Sequence, residues 1–147
     1  MAYVTNTDIE NFLGTQIYVQ LTDDSGSGSA DTNKVSQARL GAEGEVNSYL
    51  ATRYQVPINI AAEAETGEVI KTFVLSLVAY RLHSRRPPVP VDVVRRHDEA
   101  LTWLSRVAAG IVQLPSSVAP PITTSIGTIS DTQTPSRQMT RDELTDV

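Results

Sequence analysis

The stretch from Val69 to Leu82 carries Val69, Ile70, Phe73, Val74, Leu75, Leu77, Val78 and Leu82, which at helical spacing fall on nearly every side of a helix. A helix apolar nearly all round has to be covered on several sides. No apolar run in the chain approaches the roughly 18 residues that a membrane span needs, so the cover has to be protein. Pro57 upstream and Pro87, Pro88 and Pro90 downstream break regular structure and bound the segment. The pattern predicts a central helix from about Gly67 to His83, with residues 57–66 and 84–90 as connections.

Two further long helices supply the cover. Asp31 or Thr32 caps a helix running to about Arg53, whose apolar stripe is Val35, Ala38, Ala42, Val46, Tyr49, Leu50 and Tyr54. Gly41 and Gly44 inside it cost about 1 kcal/mol each relative to Ala, a hint that another backbone packs close there. Asp92 is the expected cap of the third helix, with Val93, Val94, His97, Ala100, Leu101, Leu104, Val107 and Ala108 inward and Gly110 as its stop. Ahead of these, Thr5 and Thr7 each precede an acid by three residues, Asp8 and Glu10, the mark of a capped helix start. Ile9, Phe12 and Leu13 share its apolar face and Gly14 can end it. Gln16 to Thr22 alternates Ile17, Val19 and Leu21 with polar residues. That period reads as a strand, and its brevity leaves a second short helix open. Asp23 to Ala30 is a polar Ser/Gly loop without the Walker spacing or lysine of a phosphate loop.

The fold class expected is therefore all-α: a small bundle of three long helices plus a short N-terminal helical element over residues 1–114. Aromatic residues are few, so its core must be mostly aliphatic. Ile111 to Pro115 reads as a short extended piece. Residues 115–135 are rich in Ser, Thr and Pro and too poor in apolar side chains to offset their own ordering entropy. Residues 115–147 are thus expected to form an extended C-terminal arm that orders only against something else. Its tip, Thr140-Arg141-Asp142-Glu143-Leu144, again has the Thr-x-x-Glu pattern of a helix start.

Several chemistries find no support. There is no cysteine, hence no disulfide framework and no thiolate metal site. His83 and His97 fall on different helices, without the spacing of a zinc motif. Serine nucleophiles lack a Gly-x-Ser-x-Gly elbow. Asp98 and Glu99 are adjacent and project about 100° apart on a helix, so they cannot act as an acid/base pair. No enzymatic activity, cofactor or metal is expected. The start of the chain has neither a basic n-region nor a signal-peptide core.

The net charge of −5 argues against general affinity for nucleic acid. Its distribution is more informative. Residues 1–33 hold Asp8, Glu10, Asp23, Asp24 and Asp31 and no Lys or Arg, whereas Arg81, Arg85, Arg86, Arg95 and Arg96 are opposed over residues 81–96 only by Asp92. Such a separation suits head-to-tail packing between copies of the chain, although charge alone favours two solvated surfaces.

A set of motifs in order gives the chain a family resemblance. It opens on Met1-Ala2-Tyr3-Val4-Thr5, and Gln20-Leu21-Thr22-Asp23 closes the first pair of elements. Ala42, then Val46-Asn47-Ser48-Tyr49-Leu50-Ala51-Thr52-Arg53-Tyr54-Gln55-Val56-Pro57, ends a helix in Tyr-Leu-x-x-Arg-Tyr-x-x-Pro. Ala79-Tyr80-Arg81-Leu82 ends the central helix, and His97-Asp98-Glu99-Ala100-Leu101-Thr102-Trp103-Leu104 lies in the third. Ser136-Arg137-Gln138-Met139-Thr140-Arg141-Asp142-Glu143-Leu144 stands near the end. Together these resemble the Mu-like tailed-bacteriophage head-tail adaptors, the head-completion or neck-connector family. Met139 stands where that family places an aromatic, and Asp146-Val147 replaces its final Gly-Phe.

The resemblance implies a helical adaptor in the virion neck, assembled in the bacterial host cytoplasm. It would pair with copies of itself in a ring matching a dodecameric portal protein, and join tail-side neck or terminator proteins. Phage DNA would pass through its channel without sequence-specific binding, and no membrane would be involved. The residues expected at subunit or partner interfaces are Arg53, Tyr54, Arg81, Arg85 and Arg86 in the helical part, and Arg137, Met139, Arg141 and Leu144 at the tip. Arg53 could equally offset the macrodipole at a helix C-terminus, and Arg85 and Arg86 could simply be solvated. Trp103, beside Leu104, reads as packing. The competing functional reading is a small nucleic-acid-binding regulator that uses Arg81–Arg96 on phosphates, although Pro87, Pro88 and Pro90 prevent that stretch from being a recognition helix.

Overall fold

A computed structural model describes residues 2–62 and 64–114, and these contain five helices and no strand. They are α1 (Asn6–Leu13), α2 (Thr15–Thr22), α3 (Thr32–Leu50), α4 (Ala64–His83) and α5 (Val91–Ala108). The all-α expectation holds for the described residues. The arm expected over residues 115–147 lies outside them.

The central position of α4 follows from its sequence. Six consecutive residues, Val74 to Ala79, are buried, so no side of its middle faces water. It lies against α3, α5 and the α1–α2 pair. The core around it is aliphatic: Val35, Val46 and Leu50 from α3, Ile70, Leu77 and Leu82 from α4, and Leu104 and Val107 from α5 are almost fully enclosed. Two aromatic stacks join α4 to α5, with Phe73 and Trp103 centred 4.3 Å apart and Tyr80 and His97 3.9 Å apart. Trp103 is thus a packing residue, as its spacing indicated.

The helix ends show which local signals prevail. Thr5 caps α1 through a full capping box, with its hydroxyl taking the Asp8 N–H at 3.1 Å and the Asp8 carboxylate taking the Thr5 N–H at 2.8 Å. Gly14, at φ +83°, turns the chain directly from α1 into α2. The strand reading of residues 16–22 is overturned. The buried residues there are Tyr18, Leu21 and Thr22, which are spaced for a helix, while Ile17 stays 43% exposed. The buried Thr22 hydroxyl donates to the Tyr18 carbonyl at 2.8 Å and so satisfies itself within the helix.

Three further expectations shift. Asp92 is not the cap of α5: the N-cap is Pro90, and Asp92 sits exposed in the first turn, where a carboxylate still meets the positive end of the helix dipole. α4 begins at Ala64 rather than Gly67, and Gly67 sits inside the helix as a point of close approach. A Cβ there would come within 3.1 Å of the Ile60 carbonyl oxygen. Gly41 and Gly44 do not admit a second backbone. Gly44 faces open space, and a Cβ on Gly41 would meet the Arg81 guanidinium at 2.9 Å.

Long-range hydrogen bonds anchor both margins of the bundle. Near the start, the buried Glu43 carboxylate accepts the Tyr3 N–H at 2.9 Å, and the Tyr3 hydroxyl donates to Asn47 Oδ1 at 2.6 Å while accepting the Ile58 N–H at 3.0 Å. At the other margin, the Tyr54 hydroxyl accepts the Leu114 N–H at 3.0 Å.

Candidate functional site

The residues expected at interfaces fall into separate environments. Arg81, near the end of α4, lies across α3 in the notch left by Gly41 and meets Glu45 Oε2 at 2.8 Å. Arg85 and Arg86, just past α4, reach back to the loop after α2. Arg85 Nη2 is 2.7 Å and Arg86 Nη2 3.2 Å from the Asp24 carboxylate. Arg85 also donates to the Leu21 carbonyl at 2.9 Å, and Arg86 to the Asp23 carbonyl at 2.7 Å. Lys34 of α3 completes the group, 2.5 Å from Asp24. Three cations therefore converge on one carboxylate and on carbonyls at the C-terminal end of α2, where cations are favoured. Arg85 and Arg86 thus meet acids of their own chain.

The electrostatics agree with the geometry. Hydrogen bonding from Lys34 and then from Arg86 and Arg85 holds the Asp24 carboxyl far below the ordinary carboxylate range, and Asp24 in turn raises the Lys34 ammonium. Neighbouring Asp23 is lowered to about 2: desolvation opposes the shift, but the N–H groups of Gly28, Ser27 and Ser25 outweigh it. The polar loop is thus a folded turn built around two aspartates.

Tyr54 is directed inward. It is only 7% exposed and its hydroxyl holds Leu114, so its ring is a core element rather than a contact surface. Arg53 lies in the turn after α3, against Gly110 at φ +77°. It is this positive φ, rarely adopted by L side chains, that calls for a glycine in the turn after α5, with the Arg53 guanidinium lying over it. Arg137, Met139, Arg141 and Leu144 lie outside the described residues.

Two features were not anticipated from sequence. One is Asp24 as the common partner of Lys34, Arg85 and Arg86; the absence of any cation before Lys34 was its only trace. The other is an apolar groove of about 210 Å³ where α1 and α2 meet α4 and α5, lined by Phe12, Leu13, Ile17, Ala79, Val93 and Arg96, among others. The Arg96 guanidinium lies 5.9 Å from the centre of the Phe12 ring, within cation–π range.

Among the described residues no three His, Asp or Glu side chains gather as ligands. His97 stacks on Tyr80 with Nδ1 3.1 Å from Asp98 Oδ1, and His83 borders the groove, where burial lowers its pKa. No described helix is long and apolar enough to cross a membrane.

What the surface offers is charge pairing and an apolar recess, the means of protein–protein contact. Comparison with known families defines the class: a Mu-like phage protein, structural or morphogenetic in kind. The family model described as Bacteriophage Mu, Gp36 matches residues 3–129, and the chain belongs to that family. The match takes in all five helices and stops short of the Arg137–Leu144 motif. No curated protein sequence matches the chain.

Proposed function

We propose that this chain is a structural, non-enzymatic virion protein, a head-tail connector adaptor that forms a ring beneath the portal. In this reading twelve copies match the portal above and join tail-side neck or terminator proteins below. Phage DNA passes through without sequence-specific contacts. The protein resides in the virion neck, is assembled in the host cytoplasm, and uses no cofactor. The observation that carries the reading is the family match across residues 3–129, taken with the order of motifs along the chain. The acidic net charge suits a duct that must not grip passing phosphates. The nucleic-acid-binding alternative draws less support, because Arg81, Arg85 and Arg86 already face Glu45 and Asp24.

Electron cryomicroscopy of the virion neck tests the proposal. The expected result is a ring of this chain between portal and tail, and in heads assembled without it, failure to join tails or leakage of DNA. A neck whose density is fully accounted for by other chains would overturn it.

A further inference from the structure

The groove between the α1–α2 pair and helices α4 and α5 has a definable occupant. At about 210 Å³ it is below the roughly 300–1,000 Å³ of small-molecule sites and of a size to take one or two side chains. Its walls leave Phe12 37% and Ile17 43% exposed, whereas the other exposed large apolar residues, Leu40, Val91 and Ile111, do not line it. Its ionisable lining is basic: Arg96 and His83, with no carboxylate. The adjacent Arg95 is engaged along α5 by Asp92 and Glu99, both at 3.7 Å. Arg96 instead lies over the Phe12 ring at the edge of the groove.

An apolar recess with a cationic edge fits an aliphatic side chain flanked by carboxylates. The chain contains that pattern once outside the described residues: Asp142-Glu143-Leu144-Thr145-Asp146-Val147 has three acids, two aliphatic residues and no cation. Reach is sufficient. Leu114 follows α5, whose 18 residues make it about 27 Å long, whereas Pro90 at the groove precedes it. Residues 115–141 can span up to ~90 Å. A tethered segment also acts at an effective concentration on the order of mM, which favours the chain's own segment over that of a second copy in dilute solution.

We propose that this groove is the docking site for residues 142–147 of the same chain, with Leu144 as the apolar anchor and Arg96 as partner of the flanking acids. The inference goes beyond the head-tail reading and does not depend on it. It gives the C-terminal arm, expected to order only against something else, a place on its own chain.

The chain has no cysteine, so Thr145→Cys gives a single attachment point for a nitroxide on the full-length protein. Amide signals of Phe12, Ile17 and Val93 should lose most of their intensity, while those of Ala51 and Thr52 at the opposite end keep theirs. Leu144→Ser should restore the lost signals, as should Arg96→Glu, whereas Arg95→Glu should not. Leu144 lies outside the five helices, so that variant keeps the test decisive if Arg96→Glu fails to fold. Isotope-labelled chains without nitroxide, mixed with nitroxide-bearing unlabelled chains, should show intact signals. Loss of signal in that mixture would assign the groove to a second copy and overturn the proposal. Retention of the groove signals in the labelled chain itself would overturn it as well.

Discussion

Arg81, Arg85 and Arg86 on one side of the Pro-rich turn, and Arg95 and Arg96 on the other, belong to one basic stretch of sequence but to two different surfaces. The first three leave the end of α4 and cross to acids far away in the chain, Glu45 and Asp24, fastening α3 and the loop after α2. The other two stay on α5. Arg95 is 63% exposed and makes only long contacts to Asp92 and Glu99, and Arg96 turns to an aromatic ring. A charge cluster in sequence is one patch only when the backbone between its members is straight, and Pro87, Pro88 and Pro90 ensure that it is not. The same residue type thus serves as internal fastening in one half and as open surface in the other.

The largest effect should come from removing the support that both halves share. Leu77 is fully enclosed at the centre of α4, and Leu77→Ala is expected to cost about 2–5 kcal/mol, read as a lower urea midpoint. If stability barely moves, α4 is not the scaffold of either surface. Next, the double variant Arg85→Glu, Arg86→Glu should lower Tm clearly at low salt and by less at 1 M NaCl, because it sets two new carboxylates beside Asp24. It should also speed hydrogen exchange in the loop of residues 23–30. Equal Tm values for this variant and for Arg95→Glu would erase the distinction between the two halves.

Acid titration sharpens the comparison further. The folded pKa of Asp8 is lowered to about 2, chiefly by Lys71 and the Thr5 cap, and Asp23 is also at about 2, with Asp24 lower still. Carboxylates depressed on folding stabilise fully above their unfolded value near ~3.9, and that stability is lost as pH falls through the folded values. Urea midpoints should therefore hold down to about pH 4 and then fall toward pH 2. The fall should be shallower in Asp8→Asn, and an unchanged slope would remove Asp8 from the account. The smallest effect is expected for Arg95→Ala, within about 0.5 kcal/mol of wild type, since exposed pairs on one helix contribute little.

Much of the bundle was legible because local pattern and tertiary burial coincide. The all-round apolar character of residues 69–82 marked α4 as central, Thr5 and Asp8 marked the start of α1, and Val35, Val46 and Leu50 marked the inward stripe of α3. Where the two diverged, the sequence misled. Ile17, Val19 and Leu21 alternate like a strand, but the burial of Tyr18 and Thr22 decides for a helix. Gly67 resembles a boundary yet lies inside α4, where Ile60 approaches closely enough to crowd a side chain. Asp92 has the chemistry of a cap, but the turn of Pro90 already starts the helix. The surface was harder to read. Asp24 and Arg85 stand 61 residues apart, and no short-range rule links them. The groove exists only once α1 and α2 are folded onto α4 beside α5.

The bond that holds Leu114 bears on how the bundle would respond to mechanical load. Arg53 and Tyr54 are neighbours in the single turn after α3, where Arg53 lies against Gly110 and the Tyr54 hydroxyl holds Leu114. Tension applied at residue 115 would reach the Tyr54 hydroxyl first and pass through that turn into the buried end of α3. Pulling therefore would not simply peel α5 away from its free end; it would load two helices together, one of them from the interior.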